Sequence, residues 1–373
     1  MRTTSEPVPP ARAFHHVKVT YADRSIQKAI AENRIDPDDI DLIREYVAEL
    51  QATNGIGLLR TNKIIYTLVN WRRWIPPYRM ATVGDVYQAI STLKVSKSKK
   101  GHAFRQNTIH DYVVFLKRFY IWMIESGYSN VPLAKIQKIR PPKSEMNTKQ
   151  PDQLLSQQDV KSLIDACQNS RDRALITILY ESGCRIGELG RLTWGQAKID
   201  DLGIVLSVDD TKCGTKRYVR LVISLPYLST WRNDYRGIPK GEARVFITNR
   251  GNPLTHGTVM GLLRRLQEKS GIEKHITPHI FRHSRITHLI NQGMNESVIK
   301  LMMWGNINTN MFATYAHICG KDIDKEVLGQ YGIVQRDQQE TIILKPAQCP
   351  SCMTINVPNA RYCSICGREI VDE

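Results

Sequence analysis

Thr277-Pro-His-Ile-Phe-Arg-His-Ser284 opens a helical pattern that runs over 277–292. His279 and Arg282 are three residues apart, so a helix places them on one face. His279 and His283 are four apart, a spacing that also suits two ligands of one zinc ion. A helical zinc protease needs a Glu directly after its first His. Ile280 stands there instead, and that reading is set aside.

Two further stretches frame this helix. Arg185 lies in Glu181-Ser-Gly-Cys-Arg-Ile-Gly-Glu-Leu189, after a helix and a Gly, where a buried side chain can be aimed into a cleft. Tyr315 and His317 close Thr309-Asn-Met-Phe-Ala-Thr-Tyr-Ala-His317. Between them, Ile204–Val208 and Arg217–Ile223 are β-rich runs joined through Asp-Thr-Lys-Cys-Gly-Thr-Lys, which reads as a hairpin with Gly214 at its turn. Helices are expected at 157–168, 171–182, 255–270, 277–292, 295–303 and 309–317, with a short one at 321–332. Ser156 and Asp159 precede the first of them in a pattern close to a capping box.

Upstream, residues 1–24 hold three Pro and little periodicity and read as a flexible arm. Helical patterns follow at Asp36–Leu50, Leu58–Trp74, Thr82–Leu93 and Thr108–Ser126. Residues 129–152 are Pro-rich and basic, the character of a stiff linker. The expected organisation is an arm (1–24), a helical domain (25–128), a linker (129–152), a second domain (153–335) and a Cys-bearing unit (345–373). The fold class is mainly α with a small antiparallel β-sheet, an α+β protein.

The 373 residues carry a net charge of +16. Residues 1–150 hold 24 basic and 13 acidic side chains, and 60–149 hold 17 basic against four acidic ones. Such a surplus points to a polyanion, most simply nucleic acid. Lys94, Lys97, Lys99 and Lys100 form a basic loop, and Lys117 and Arg118 add charge on the following helix. All six are candidate phosphate contacts. No run of about 18 apolar residues exists, which excludes a membrane-spanning helix. The N-terminal stretch lacks the apolar segment of a secretory signal, so a cytoplasmic location and reduced thiols are expected. No phosphate-binding Gly-x-x-x-x-Gly-Lys-Ser/Thr loop occurs, so no nucleotide cofactor is expected.

Taken in order, Arg185 in its SGCRIGEL setting, Lys212 in the hairpin, His279-x-x-Arg282-His-Ser and Tyr315-x-His resemble the tyrosine recombinase (phage integrase) family. The resemblance covers about 156–330 in detail. The basic region 25–128 resembles that family's core-binding domain in character only. The resemblance implies site-specific DNA recombination, with the two domains clamped around duplex DNA and the protein assembled, as a tetramer, on paired sites. It assigns Tyr315 as the nucleophile that forms a 3′-phosphotyrosine, and His279 as its base. Arg185 and Arg282 are the expected phosphate clamp, since guanidiniums bind bidentately and keep their protons. Lys212 is the expected acid for the departing 5′ oxygen, with Lys216 the competing choice. Glu188 either orients the surrounding shell or simply caps, and His283 and His317 are supporting residues. The covalent link conserves the bond energy, so catalysis needs no cofactor. One departure stands out: Asn306 occupies the place where the family has His or Trp. Asn can donate a hydrogen bond but cannot carry charge. Two other readings stay open, a type IB-like topoisomerase and a catalytically idle DNA-binding regulator.

Cys349-Pro-Ser-Cys352 and Cys363-Ser-Ile-Cys366 are two CxxC knuckles separated by ten residues. Four thiolates at that spacing suit a closed, structural zinc site, a zinc ribbon. Cys167, Cys184, Cys213 and Cys319 are scattered and have no assigned task.

Overall fold

The computed structural model describes residues 14, 20–98, 101–145, 151–209, 216–316, 331–332 and 342–370. The chain divides into two compact units, one of Val17–Thr148 and one of Met1–His16 with Lys149–Glu373.

The Val17–Thr148 unit is helical: α1 (Thr20–Ala31), α2 (Pro37–Asn54), α3 (Leu58–Trp71), α4 (Val83–Val95), α5 (Gln106–Glu125) and the short α6 (Leu133–Gln137). Its caps are written in the sequence. Asp36 accepts the N–H of Asp39 at the start of α2, with Pro37 at the first helical position. Thr82 and Asp85 form a reciprocal capping box on α4. The core is aromatic, built from Trp71, Tyr78, Phe119 and Tyr120 among aliphatic residues. Asp39 is buried there, and its carboxylate accepts from Arg72 and from the Tyr78 N–H at 2.9 Å. That pairing is what allows a charge inside an apolar core.

Two features differ from the expected arm at 1–24. The first helix begins at Thr20. Phe14 is buried among the core residues of the other unit, and its carbonyl accepts the His256 N–H at 3.0 Å. The Phe14 ring fills the space over Gly190, where any Cβ would lie 2.0 Å from a ring carbon. The aromatic side chain therefore anchors the chain at this point, which a count of prolines does not show.

The second unit runs α7 (Gln157–Asp165), α8 (Ser170–Ser182), α9 (Ile186–Leu189), β1 (Ala197–Asp200), β2 (Gly203–Asp209), β3 (Lys216–Leu221), α10 (Leu225–Asn233), α11 (His256–Ser270), α12 (Pro278–Asn291), α13 (Glu296–Trp304) and α14 (Ala313–Ala316). Ser156 and Asp159 make the expected capping box on α7. The sheet is antiparallel in the order β1-β2-β3, with Val208 opposite Arg217, Leu206 opposite Val219 and Ile204 opposite Leu221. α8 is the central element, with Leu175, Ile176, Ile178, Leu179 and Tyr180 all buried. Each such aliphatic side chain contributes roughly 1.5–3 kcal/mol by leaving water. Glu181, also buried, accepts from the N–H groups of Val222, Ile223 and Ser224 at 2.6, 2.9 and 2.8 Å. It thereby pins the exit of β3 and the start of α10 to α8.

The expected helices are found within a few residues of their places, and the two β runs pair as a hairpin. Gly214 and most of 321–332 lie outside the described residues. The helix expected at 309–317 is a 3-10 turn (Asn310–Phe312) followed by α14. Thr309 and Asn306 accept backbone N–H groups two residues on and hold the chain in turns there. The C-terminal segment pairs β4 (Ala347–Gln348) with β5 (Ile355–Asn356) over a minimal core of Ala347, Cys349, Cys363 and Ile370. Among the described residues, no helix is long and apolar enough to cross a membrane.

Candidate active site

The site is built where two helices end together. α8 stops at Gly183, which takes the left-handed conformation (φ 55°) that a Cβ-bearing residue resists. A Cβ on Gly183 would also lie 2.7 Å from the Met303 sulfur, so the glycine lets the end of α13 close onto the end of α8. Arg282, from the middle of α12, enters this junction. Its Nη1 donates to the Gly183 carbonyl at 2.6 Å and its Nη2 to the Met303 carbonyl at 2.7 Å. Both carbonyls belong to helix C-termini, where partial negative charge favours a cation. The face of Trp304 lies 5.2 Å from the guanidinium carbon.

After Gly183 the chain turns, buries Cys184 and presents Arg185 at the start of α9. Glu188, one turn on, accepts from the Arg185 backbone N–H at 2.8 Å and from its Nη1 at 2.9 Å. Glu188 also receives Arg217 Nη2 at 2.7 Å, with both side chains almost fully buried. Burial pushes the Glu188 carboxyl up, but the bonds and charge of Arg217 and the N–H groups of Arg185 bring it below the usual range. Glu188 therefore stays ionised at neutral pH and orients the Arg185 shell while also capping it.

Arg185 and Arg217 thus converge on one carboxylate, with the Arg282 charge close to both guanidiniums. Burial lowers Arg282 to about 10, and the nearby charges of Arg185 and Arg217 add to that effect. A cluster with surplus, crowded positive charge is stabilised by an arriving anion.

Tyr315 sits on α14, 3% exposed, among Ile286, Leu289, Ile299, Met303 and Trp304. Its ring centroid lies 5.3 Å from that of His283 and 6.1 Å from that of Trp304. Burial raises its phenol to about 12, with the Arg282 charge acting in the opposite direction.

The structure brings Arg185, Glu188, Arg282, His283 and Tyr315 into one neighbourhood. His279 lies on the exposed side of the first turn of α12, whereas Arg282 is buried. Residues three apart on a helix are offset by about 60°, enough to straddle the edge of a buried face. Asn306 is exposed, and its side-chain oxygen accepts the Asn308 N–H at 2.8 Å. Trp304, two residues earlier, is the side chain packed between Arg282 and Tyr315. Lys216 is 86% exposed and 4.0 Å from Asp209. Lys212 and His317 lie outside the described residues, as do Lys99 and Lys100.

In the Val17–Thr148 unit, Lys94, Lys97 and Arg118 are exposed. Lys97 pairs with Ala103, and the Ser98 N–H donates to the His102 carbonyl at 2.7 Å. Lys117 donates to the carbonyls of Gln137 and Ile139 at 2.6 and 2.9 Å. It ties down the end of α6, a structural duty alongside any phosphate contact.

Sequence reasoning missed Arg217. The signal was present: Arg217, Val219 and Leu221 share one face of an alternating strand, and an Arg in that inward register announces a buried partner.

The four ribbon cysteines gather. Cys349 and Cys366 sulfurs are 3.6 Å apart, Cys352 and Cys363 sulfurs 3.5 Å, and all four lie within 4.8 Å of one another. A tetrahedral zinc with Zn–S of about 2.3 Å requires sulfurs about 3.8 Å apart. The two knuckles match: Met353 (φ 60°) and Gly367 (φ 70°) each donate an N–H to the carbonyl of Cys349 and Cys363, both at 3.0 Å.

Comparison with known proteins agrees with this geometry. Residues 153–320 match the family model for the phage integrase family. Tyrosine recombinase XerD of Listeria innocua is 30% identical over 232 residues, which cover 58% of this chain and 74% of that protein. Transposase A from transposon Tn554 of Staphylococcus aureus is 28% identical over 338 residues, covering 84% of this chain and 83% of that one. A solved lambda integrase dimer bound to a COC′ core site shares the fold at a TM-score of 0.58, with 17% identity over 76% of this chain and 78% of that one. This chain belongs to the phage integrase family of tyrosine recombinases.

Proposed function

We propose that this chain cuts and rejoins duplex DNA at specific sites through a 3′-phosphotyrosine on Tyr315. The observation that carries the reading is the buried Arg282, held on two helix C-termini beside Arg185 and in electrostatic contact with Tyr315. In this reading the two guanidiniums bind the non-bridging oxygens of the scissile phosphate, where charge builds in the transition state. His279 takes the phenol proton, and Lys212 protonates the departing 5′ oxygen. Asn306 accepts the Asn308 N–H through its side-chain oxygen, which leaves its NH2 group to donate to phosphate, while Trp304 supplies the surface beside Arg282. DNA is the bound partner of the lambda integrase structures, one of which is a tetramer on a Holliday junction. Together with the basic surplus of residues 1–150, this supports duplex DNA as partner and self-assembly on paired sites.

The test uses a supercoiled plasmid carrying two copies of the duplex that the wild-type chain selects from a random-sequence library. The expected result is exchange between the copies, seen as deletion or inversion. Relaxation of plasmids lacking the site, with no exchanged product, would favour a topoisomerase instead. Site binding without any cleavage would favour a regulator.

The ribbon fits a structural zinc ion held by Cys349, Cys352, Cys363 and Cys366. Its minimal apolar core leaves metal binding as the main source of its folding. The full chain, purified from a reducing cytoplasm, is expected to carry about one zinc ion. Cys363→Ser is expected to lose it and to expose 345–370 to protease. Full protection from protease in the metal-free chain would contradict this.

A further inference from the structure

Arg217 is the one side chain in β3 whose charge points into the protein, with 2% of its side chain exposed. Its donors reach two different elements. Nη2 and Nη1 lie 2.7 and 3.3 Å from the two Glu188 carboxylate oxygens, and Nε lies 2.8 Å from the Met302 carbonyl. Glu188 in turn holds Arg185. Met302 immediately precedes Met303, whose carbonyl accepts from Arg282. One guanidinium therefore ties the strand to the supports of both phosphate-binding arginines.

We propose that Arg217 is a positioning residue for the reaction: through Glu188 it sets Arg185, and through the Met302 carbonyl it sets the helix end on which Arg282 is seated. The inference rests on the recombinase reading of the same site. Arg suits the task and Lys does not. A guanidinium presents a planar fork to the carboxylate and a third donor along a different direction, whereas an ammonium is a point charge. The arrangement also explains why the charge is kept inside the protein. A buried ion pair contributes little net stability compared with apolar residues of the same shape, so a pair retained only for stability is replaceable.

That contrast supplies the test. Arg217→Lys and the apolar pair Arg217→Met with Glu188→Leu are compared with wild type in the full-length chain. The substrate is a panel of duplexes nicked at successive positions of the sequence that wild type selects from a random library. Thermal unfolding, DNA affinity and single-turnover adduct formation are measured for each protein. For the apolar pair, the expected result is a folded protein with a lower melting temperature, since the Met302 carbonyl and the Arg185 N–H lose their partners, and near-unchanged affinity. Its adduct formation is expected to fall by about 10²-fold, as a misplacement of about 1 Å in a reacting group produces. Arg217→Lys, which keeps the charge, is expected to lose rate in the same way, and it serves should the apolar pair fail to fold. Wild-type rates in either folded variant would overturn the proposal and leave the recombinase reading intact. Absence of any adduct with the wild-type chain would remove that reading and the proposal with it.

Discussion

Tyr315→Phe is expected to abolish covalent attachment to DNA while leaving fold and DNA affinity intact. The substitution removes one oxygen and keeps the ring that packs against His283 and Trp304 in the apolar cluster of α12 and α13. Apolar burial is thus preserved, and the melting temperature is expected to shift by no more than a few degrees. The chemical effect is total in principle, because the bond that forms is to the phenolic oxygen. An adduct persisting in Tyr315→Phe would move the nucleophile elsewhere, with the exposed Tyr331 the first alternative. The protonation state is a companion test. Burial disfavours the phenolate and raises the Tyr315 pKa to about 12. In the DNA-free chain the phenol therefore stays protonated through neutral and mildly alkaline pH. The near-ultraviolet titration difference between wild type and Tyr315→Phe should show no phenolate below about pH 10. A difference signal that grows between pH 7 and 9 would contradict the buried setting.

Arg282→Ala is the second large effect, and it acts on both reaction and fold. Losing one donor that stabilises transition-state charge typically costs about 10²–10³ in rate. The same change leaves the Gly183 and Met303 carbonyls without their donor inside the protein, at about 1–3 kcal/mol each. It also removes a cation that burial first, and the Arg185 and Arg217 charges second, lower to about 10, which offsets part of that loss. The net expectation is a destabilisation of roughly 2–4 kcal/mol, with cleavage falling by about 10³-fold. Arg282→Lys separates the two. It keeps a positive charge, so the stability loss is smaller, but an ammonium cannot span two carbonyls and also present a fork to phosphate. Single-turnover cleavage and thermal unfolding of both variants measure this. Cleavage by Arg282→Lys within tenfold of wild type would show that charge alone suffices.

Much of this site was legible before any coordinates. Arg185, His279, Arg282 and Tyr315 stand in recognisable settings, and the helices carrying them follow apolar periodicity and cap chemistry. The gathering of Cys349, Cys352, Cys363 and Cys366 was legible from spacing alone. What was hidden shares a physical cause. The partners of Arg282 are backbone carbonyls at two helix ends, and no pattern of side chains reports where two helix ends meet. Gly183 reads as a helix stop, yet its missing Cβ matters equally because Met303 lies against it. Arg217 stands beside Lys216 in the sequence, and only strand alternation separates the two onto opposite faces. His279 and Arg282 share a helix but differ in burial, since spacing fixes relative direction and not where the protein surface cuts the helix. Asn306 departs from the family's residue at its place, and its side-chain oxygen accepts the Asn308 N–H while Trp304 packs beside Arg282.

In the proposed reaction a tyrosine on α14 becomes covalently joined to DNA beside the Arg185–Arg282 cluster. The most direct measurement is peptide mapping of the wild-type chain trapped on a nicked suicide duplex of its selected site. A single modified peptide is expected, with the nucleotide 3′-linked to Tyr315. Linkage to another residue, or a trapped complex that denaturant dissociates, would contradict it.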